Sequence, residues 1–212
     1  MIRKYPLPKS FFRLLRADFR RSLQNSGLIP VLIILLFLIS YPGSVSAKDR
    51  QETKSSPARS ATVTLLPDKS FYETLCYHIQ HATQRIEIAM FIFKTTKSKY
   101  NRPEAILKEL IRARKRGVSI LVVLEESGHD EGLTKANRSS GNKLQKNGIE
   151  VVFDAPKITT HAKMVIIDRR YLFIGSHNLT QAALSANNEI SALIDQPDLA
   201  AEASRYINNL KK

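Results

Sequence analysis

The sequence predicts an α/β fold, a layered sandwich in which helices flank a central mixed β-sheet. Short apolar runs rich in β-branched residues alternate with segments whose apolar positions recur every three or four residues, a pattern typical of layered α/β domains. Two of the apolar runs, residues 164–167 and 171–174, are separated only by three polar residues. This spacing predicts an antiparallel hairpin within the same sheet.

The strands are predicted from short runs of apolar and β-branched residues bounded by polar or turn-forming ones. In order they are expected at residues 61–66, 85–93, 118–124, 149–153, 164–167, 171–174 and 190–194. The runs at 85–93 and 118–124 are mostly apolar, which indicates strands of the core.

The helices are predicted from apolar side chains at helical spacing. They are expected at residues 70–84, at 103–116, in a segment that ends near Gly148, and at 199–210. Pro103 suits a first helical position, and the basic run before Gly117 suits a helix C-terminus. Residues 125–142 are expected to form a long polar loop that leads into the third helix.

By composition the chain divides into a leader, a linker and one folded domain. Its 212 residues are 43% hydrophobic, which suffices for a single domain with a core. The predicted boundaries are residues 1–47 for the leader, 48–60 for a flexible linker rich in Ser, Lys and Arg, and 61–212 for the domain.

The leader has the layout of an export signal. Residues 1–27 contain seven Lys/Arg against Asp18 alone, an apolar run follows at 28–39, and a small-x-small pattern ends at Ala47. This order is typical of a secretory signal peptide cleaved after Ala47, and it predicts a periplasmic or secreted domain. The alternatives are an uncleaved signal anchor, with membrane association through residues 28–40, and an Arg-rich mitochondrial presequence.

The chain is strongly basic, with a formal charge of +14, of which residues 1–27 contribute +6. The remaining excess predicts a polyanionic partner for the domain, either nucleic acid or anionic lipid. Basic residues are concentrated at 94–102 and 112–116, which makes both segments candidates for binding phosphate groups.

Cysteine and metal chemistry are not predicted. Cys76 is the single cysteine, which excludes an intramolecular disulfide and a Cys-based zinc site, and its helical surroundings predict a packing role. The sequence also has no carboxylate, His or Cys cluster with ligand spacing, so no metal or other cofactor is expected.

The candidate site lies in the predicted hairpin. His161 and Lys163 are two residues apart on an extended strand, so their side chains leave the same face. We expect Lys163 opposite Ser176 and His161 opposite Asn178 or its neighbour, with Gly175 allowing close approach of the backbone. A nucleophile or proton carrier together with several donors for an anion is what phosphoryl chemistry requires.

The pattern His-x-Lys-x4-Asp-x6-Gly-Ser-x-Asn, which begins at His161 and ends at Asn178, resembles the signature of the phospholipase D superfamily. The resemblance implies that superfamily's fold and a metal-independent phosphodiesterase that works through a phosphohistidine. Because the chain has a single copy of the motif, the resemblance also implies a homodimer. His161 from each subunit would then meet at a two-fold axis, one attacking phosphorus and the other protonating the leaving oxygen.

Individual roles follow from side-chain chemistry. Lys163 supplies a fixed positive charge for phosphate oxygens, and Ser176 and Asn178 donate hydrogen bonds to the same oxygens. An imidazole needs a partner on its other nitrogen, and Glu189, at the start of the last strand, is the carboxylate that we predict for His161. Superfamily members typically have an acidic residue there.

The other motif residues and histidines are predicted to have no catalytic role. Asp168, at the hairpin turn, is expected to be structural and to pair with an Arg. His177 fills the variable motif position, where we expect a solvated ring. The remaining histidines are assigned to the surface or the core, namely His78, His81 and His129.

The resemblance leaves the substrate open. The cationic loop at 94–102 favours a low-specificity endonuclease that acts on DNA or RNA. The alternative is a hydrolase of anionic phospholipid such as cardiolipin. A non-catalytic nucleic-acid-binding module is a third possibility, although binding alone does not require His161.

Overall fold

The computed structural model describes residues 60–154 and 158–211. The predicted leader and nearly all of the predicted linker lie outside the described residues. Within the two described ranges, no helix is both long enough and apolar enough to cross a membrane.

In the described part of the chain, seven strands form one sheet, in the order β1-β7-β6-β5-β2-β3-β4. The strands are β1 (Thr62–Pro67), β2 (Arg85–Met90), β3 (Ser119–Leu124), β4 (Glu150–Phe153), β5 (Lys163–Ile167), β6 (Tyr171–Gly175) and β7 (Ile190–Asp195). β2, β3 and β4 run parallel, and every other neighbouring pair is antiparallel. The prediction of a mixed sheet in an α/β fold is therefore confirmed.

Five helices are described: α1 (Lys69–His81), α2 (Arg102–Lys115), α3 (Glu131–Gln145), α4 (Gln181–Ser185) and α5 (Pro197–Asn209). The first four contribute to a large core on one face of the sheet, where Phe71 of α1 and Leu110 of α2 pack with Phe173 of β6. On the opposite face α5 packs Ala200 and Ile207 on a smaller core. Each fully buried Leu, Ile or Phe contributes roughly 1.5–3 kcal/mol, so these cores fix the sheet that positions the site.

The polar loop predicted at 125–142 is wrong, because most of it belongs to helix α3. The helix begins at an N-cap, Asp130, whose carboxylate accepts the Leu133 N–H at 2.9 Å. Its buried face includes Asn137, Ser140 and Gly141 alongside only two leucines. The buried face of α3 therefore lacks the apolar periodicity by which the other helices were predicted.

Other differences from the predicted elements are smaller. The short helix α4 was not predicted, and the second strand ends at Met90 rather than at Phe93. Cys76 is half-buried against the larger core, and burial raises the pKa of its thiol to about 11. The thiol is thus protonated at neutral pH, which agrees with the predicted packing role.

Candidate active site

The candidate site lies at the edge of the sheet where β2 ends and β5 begins. Met90 pairs with Lys163, so residues that leave β2 and residues that enter β5 meet at this edge. The N–H of Phe91 donates to the Ala162 carbonyl oxygen at 3.0 Å and extends the pairing by one step. This places His161 just beyond the end of two central strands.

His161 is exposed and lies beside Lys163 and Phe91. The Lys163 Nζ atom is 3.3 Å from each ring nitrogen of His161 and donates to the His161 carbonyl oxygen at 2.9 Å. The Phe91 ring centroid is 4.4 Å from that of the imidazole and 4.9 Å from Lys163 Nζ. The imidazole is therefore held at the surface by two neighbours rather than inside the core.

The charge of Lys163 is partly desolvated. Burial lowers the pKa of its ammonium, and the negative charge of Glu189 partly offsets this effect. A charge that is shielded from water interacts more strongly with an anion, because the local dielectric constant is lower. Lys163 is thus suited to hold a phosphate oxygen beside His161.

An open pocket of about 380 Å³ lies over this pair. It is lined by His161, Ala162, Lys163, Met164, Ile174, Gly175 and Tyr206. The pocket therefore combines the ammonium of Lys163 and the imidazole of His161 with an apolar wall.

The hairpin register differs by one residue from the predicted one. Met164 pairs with Ile174, so the next step of the ladder sets Lys163 opposite Gly175 rather than Ser176. A Cβ atom added to Gly175 would be 2.3 Å from Ser191 Oγ and 2.4 Å from Ser191 Cα. Gly175 therefore allows β6 and β7 to approach closely, and a side chain at this position would push them apart.

Ser176 and Glu189 are brought together by β6 and β7. The Ser176 hydroxyl donates a short hydrogen bond to Glu189 Oε2, and its Oγ accepts the Ile190 N–H at 3.0 Å. Asn187 donates to Glu189 Oε1 at 3.0 Å. Among the described residues no hydrogen bond joins Glu189 to His161, so the predicted pairing is not present within one chain.

Asn178 is held in place through the backbone of the following residue. The Leu179 N–H donates to the Ile92 carbonyl oxygen at 3.0 Å, and the Lys94 N–H donates to the Leu179 carbonyl oxygen at 2.9 Å. The Asn178 Oδ1 atom is buried and has no hydrogen-bond partner in the described part of the chain. This oxygen can accept a hydrogen bond but cannot donate one to a phosphate oxygen. We call His161, Lys163, Ser176 and Asn178 the open end of the hairpin.

Asp168 lies at the other end of the hairpin, and we call the turn around it the turn end. Its carboxylate accepts the N–H groups of Thr83, Gln84 and Arg85 at 2.8–3.0 Å, and the Thr83 hydroxyl at 3.0 Å. Burial opposes ionisation, but these hydrogen bonds outweigh it and hold the pKa of Asp168 below its ordinary value. Asp168 binds backbone amides, so the predicted Arg partner is wrong. Arg170 of the same turn pairs with Asp195 instead.

The solvated ring predicted for His177 is also wrong. His177 is 1% exposed and stacks on Phe71 at 4.3 Å between ring centroids. Its Nε2 donates to the Asp68 carbonyl oxygen at 2.9 Å, which leaves Nδ1 to accept the Ser191 hydroxyl at 2.7 Å. Burial lowers the pKa of His177, partly offset by the hydrogen bond to Asp68, so the ring is neutral. The burial of His177 could have been predicted from strand alternation, because residues 173 and 177 lie on the same face of an extended strand and Phe173 faces the core.

His177 also supports Glu189 through Asp68. The Asp68 N–H donates to the Glu189 carbonyl oxygen at 2.9 Å, and Asp68 Oδ1 accepts the Glu189 N–H at 2.9 Å. Asp68 adopts a positive φ of 48°, an uncommon conformation for this residue type that its hydrogen bonds maintain. The position of Glu189 thus depends on residues that were not predicted to matter.

A cationic loop leaves β2 at the same edge of the sheet. Lys94, Lys97 and Lys99 are exposed, and none of the ion pairs among the described residues involves them. Tyr100 is 78% exposed at the end of this loop. The charges predicted to bind phosphate groups therefore lie on the segment that follows Phe91, whose ring contacts His161.

The described residues do not form a cluster of metal ligands. In the stretches 60–154 and 158–211, no group of three His, Cys, Asp or Glu side chains is placed to hold a metal ion. The groups that can act on an anion at this site are the imidazole of His161 and the ammonium of Lys163, since the Ser176 hydroxyl donates to Glu189.

A family model described as "Cardiolipin synthase, PLD-like domain" matches residues 75–211, which include the whole motif. This chain belongs to the phospholipase D superfamily. The membership predicted from the motif is thereby confirmed, and the strand order and helices described above are the form that the phospholipase D-like fold takes in this chain.

Similar proteins carry both lipid and nuclease names. The chain is 33% identical over 104 residues to a phospholipase D from Rickettsia felis, covering 49% of this chain and 48% of that protein. It is 29% identical over 136 residues to the 5'-3' exonuclease PLD3 of Xenopus laevis, covering 59% and 27%. The crystal structure of Nuc, a phospholipase D family member from Salmonella typhimurium, matches with a TM-score of 0.61 and 25% identity, covering 71% of this chain and 94% of Nuc. The chain thus spans about half the length of the Rickettsia relative.

Proposed function

We propose that this phospholipase D-like domain is a metal-independent phosphodiesterase, that His161 is its nucleophile, and that its preferred substrate is nucleic acid. The observation that carries the proposal is the pair of the exposed His161 and the half-buried Lys163, which line an open pocket. Superfamily membership, with relatives named phospholipase D and exonuclease, supports the reaction class.

The reaction has two displacements at phosphorus. A lone pair on the His161 ring attacks phosphorus, and the bond to the leaving oxygen breaks while a second imidazole protonates that oxygen. The same second imidazole then takes a proton from water, whose oxygen attacks phosphorus and releases His161. Lys163 compensates the charge that builds up on the phosphoryl oxygens, which in other phosphodiesterases is a role of metal ions.

The second imidazole is proposed to come from a second copy of the chain. The motif occurs once, and no carboxylate among the described residues is bonded to His161, so one copy is proposed to supply an incomplete site. Beside the site the sheet exposes Val63, Leu65, Ile174 and Ile190 on the face that α5 covers only in part. An apolar surface of this kind next to a two-fold axis fits an isologous homodimer in which the two His161 rings meet.

Nucleic acid is the proposed substrate because of the cationic loop. Lys94, Lys97 and Lys99 are exposed on the segment that leaves β2 at the edge where Lys163 enters β5, and exposed cations of this kind bind a phosphate backbone. A solvent-exposed aromatic ring such as that of Tyr100 can stack on a base. Affinity for unrelated sequences should then fall as salt rises, and Lys97→Gln with Lys99→Gln should weaken all of them about equally.

Anionic phospholipid is the second candidate substrate. The exposed Ile174 and Tyr206 give the pocket an apolar wall that an acyl chain could contact. The matching family model is described by the name cardiolipin synthase, and the Rickettsia relative is named a phospholipase D. A module that binds nucleic acid without cleaving it is the third candidate.

One experiment separates the three candidates. The full chain and its His161→Asn variant are incubated in excess EDTA with plasmid DNA and, separately, with cardiolipin vesicles. Cleaved DNA that requires His161 is the expected result. Phosphatidic acid released from the vesicles with intact DNA would establish the lipid activity, and DNA binding without cleavage would establish the module. Activity that vanishes in EDTA and returns with Mg²⁺ would refute the metal-independent mechanism.

Export is part of the proposal for the whole protein. The basic leader, its apolar run and the pattern that ends at Ala47 support a periplasmic or secreted domain, or one anchored through residues 28–40. N-terminal sequencing of the protein from cell fractions should find a chain that begins at Lys48. A full-length chain in the membrane fraction would favour the anchor instead.

A further inference from the structure

The backbone on both sides of His161 is held by residues outside the motif. The Thr160 N–H donates to Glu125 Oε2 at 2.6 Å, and the Ala162 carbonyl oxygen accepts the Phe91 N–H at 3.0 Å. Thr160 is 4% exposed, whereas His161 is exposed. An exposed side chain is thus carried by a backbone segment that is fixed one residue before it and one residue after it.

A single side chain of α3 links these two anchors. Asn137 is fully buried, and its amide donates to the carbonyl oxygens of Phe91 and Glu125, each at 2.8 Å. Its Oδ1 accepts the Phe93 N–H at 2.8 Å. The ends of β2 and β3 are therefore held together, and the two groups that fix the backbone around His161 belong to one hydrogen-bonded unit.

Glu125 itself lies against a second buried carboxyl group, that of Asp154 at the end of β4. Glu125 is 2% exposed and Asp154 is 6% exposed, and the parallel pairing of Leu124 with Phe153 sets the two residues side by side at the ends of β3 and β4. Asp154 Oδ1 accepts the Glu126 N–H at 2.8 Å, whereas its Oδ2 has no hydrogen-bond partner among the described residues. Two adjacent buried carboxylates repel each other, and one proton between them removes the repulsion and gives the Oδ2 atom a donor.

The groups that face Glu125 favour its protonated form. Burial raises the pKa of Glu125, the Thr160 N–H partly offsets this, and the charge of Asp154 raises it further. On the α3 side Asn137 is neutral, and Arg138 is engaged in an ion pair with Glu126.

We propose that Glu125 and Asp154 share one proton and that this protonated pair, acting through the Thr160 amide, positions His161 for attack on phosphorus. Glu125 is a positioning residue, because it does not touch the substrate, and its catalytic effect rests on the function proposed above. When pH rises and the shared proton is lost, the two negative charges repel each other, and Glu125 moves away from Asp154 together with the Thr160 N–H that it binds. The effect on activity therefore appears on the alkaline side.

The test compares Glu125→Gln with Glu125→Met in the full chain. Gln keeps an oxygen for the Thr160 N–H and supplies an N–H for Asp154 Oδ2, whereas Met has a similar size and supplies neither. Glu126→Gln removes the same charge at the next residue and is the matched control. With bis(p-nitrophenyl) phosphate as substrate, Glu125→Gln should keep kcat, and Glu125→Met should lower it about 100-fold at unchanged KM, as expected of a misplaced reacting group.

Two further measurements distinguish positioning from a general loss of structure. Hydrogen exchange of peptides covering residues 158–163 should accelerate in Glu125→Met but not in Glu125→Gln, and this readout does not require activity. Equal exchange in wild type and Glu125→Met would overturn the positioning role.

The pH dependence of kcat tests the shared proton. The kcat of the wild type should fall at alkaline pH, whereas that of Glu125→Gln should not. If kcat falls equally in the two proteins, the proposal of a shared proton is wrong. If the wild type does not cleave the phosphodiester but the exchange pattern is as expected, the positioning role stands and the proposed function fails.

Discussion

The two ends of the β5–β6 hairpin belong to one motif but differ in how their polar groups are satisfied. At the turn end, Asp168 accepts four hydrogen bonds from residues 83–85. At the open end, His161 is exposed, and the Asn178 Oδ1 atom has no partner in the described part of the chain. Only four residues separate Lys163 from Asp168, yet one side chain borders a pocket and the other is bound by the protein.

This difference indicates which motif residues stabilise the fold and which remain available for a ligand. Groups that are fully paired inside a chain stabilise it, whereas unpaired or desolvated polar groups at a pocket are typical of functional sites. We therefore assign Asp168 to the fold, and His161 and Lys163 of the open end to chemistry. Ser176 is paired with Glu189 and with the Ile190 N–H, so within one chain it supports Glu189. Substitutions at the two ends should separate activity from stability.

The largest expected effect is on turnover at the open end. His161→Asn removes the proposed nucleophile and should lower kcat about 10⁴-fold or more, as loss of a nucleophile does in covalent mechanisms. The thermal midpoint should stay near that of the wild type, because the side chain is exposed. His129→Asn, at an exposed histidine outside the motif, is the control and should keep full activity. Comparable turnover in the two variants would remove His161 from the mechanism.

At the turn end the expected effect is on stability. Asp168→Asn replaces one acceptor oxygen with a donor that faces backbone N–H groups, and it should cost about 2 kcal/mol of unfolding free energy at neutral pH. Because the pKa of Asp168 is lowered on folding, its contribution is present above the ordinary pKa of an aspartate and is lost as pH falls through the lowered value. Denaturant titrations at several pH values should therefore show the gap between wild type and variant closing in acid. A variant with wild-type stability but little activity would reverse the assignment.

The smallest expected effect is the loss of activity in mixed dimers, which tests whether each chain supplies half of one active site. When wild type and His161→Asn are dissociated, mixed in equal amounts and reassembled, activity should fall to about a quarter if two copies share one site, and to about half if sites are independent. Titration with the variant should follow the square of the wild-type fraction. A linear loss would mean that the second proton carrier lies in the same chain.

Much of the fold and the position of the site follow from local spacing in the sequence. The hairpin is given by two apolar runs around a polar turn, and the mixed sheet follows from combining that hairpin with alternating strands and helices. His161 and Lys163 are two residues apart, so their proximity is a property of an extended strand and not of the distant packing.

The remaining features depend on contacts between distant segments, which local spacing does not encode. Glu125 and Thr160 are 35 residues apart, and Asp68 and His177 are 109 residues apart. Helix α3 was missed because its buried Asn137 bonds to the ends of two other strands, so a polar side chain occupies a core position. The positions of Glu125 and Asp154 could have been predicted in part, because each residue directly follows an apolar strand that ends at the edge of the sheet where His161 lies.

The most direct test of the central claim, that the open end carries out covalent chemistry, is to trap the intermediate. The full chain is mixed with a phosphodiester labelled at phosphorus, quenched with alkaline denaturant during turnover, and digested for peptide mapping. The account predicts a label on the peptide that contains His161, stable in alkali and lost in acid, and absent from His161→Asn. A label mapped to Ser176, or turnover that persists in His161→Asn, would contradict it.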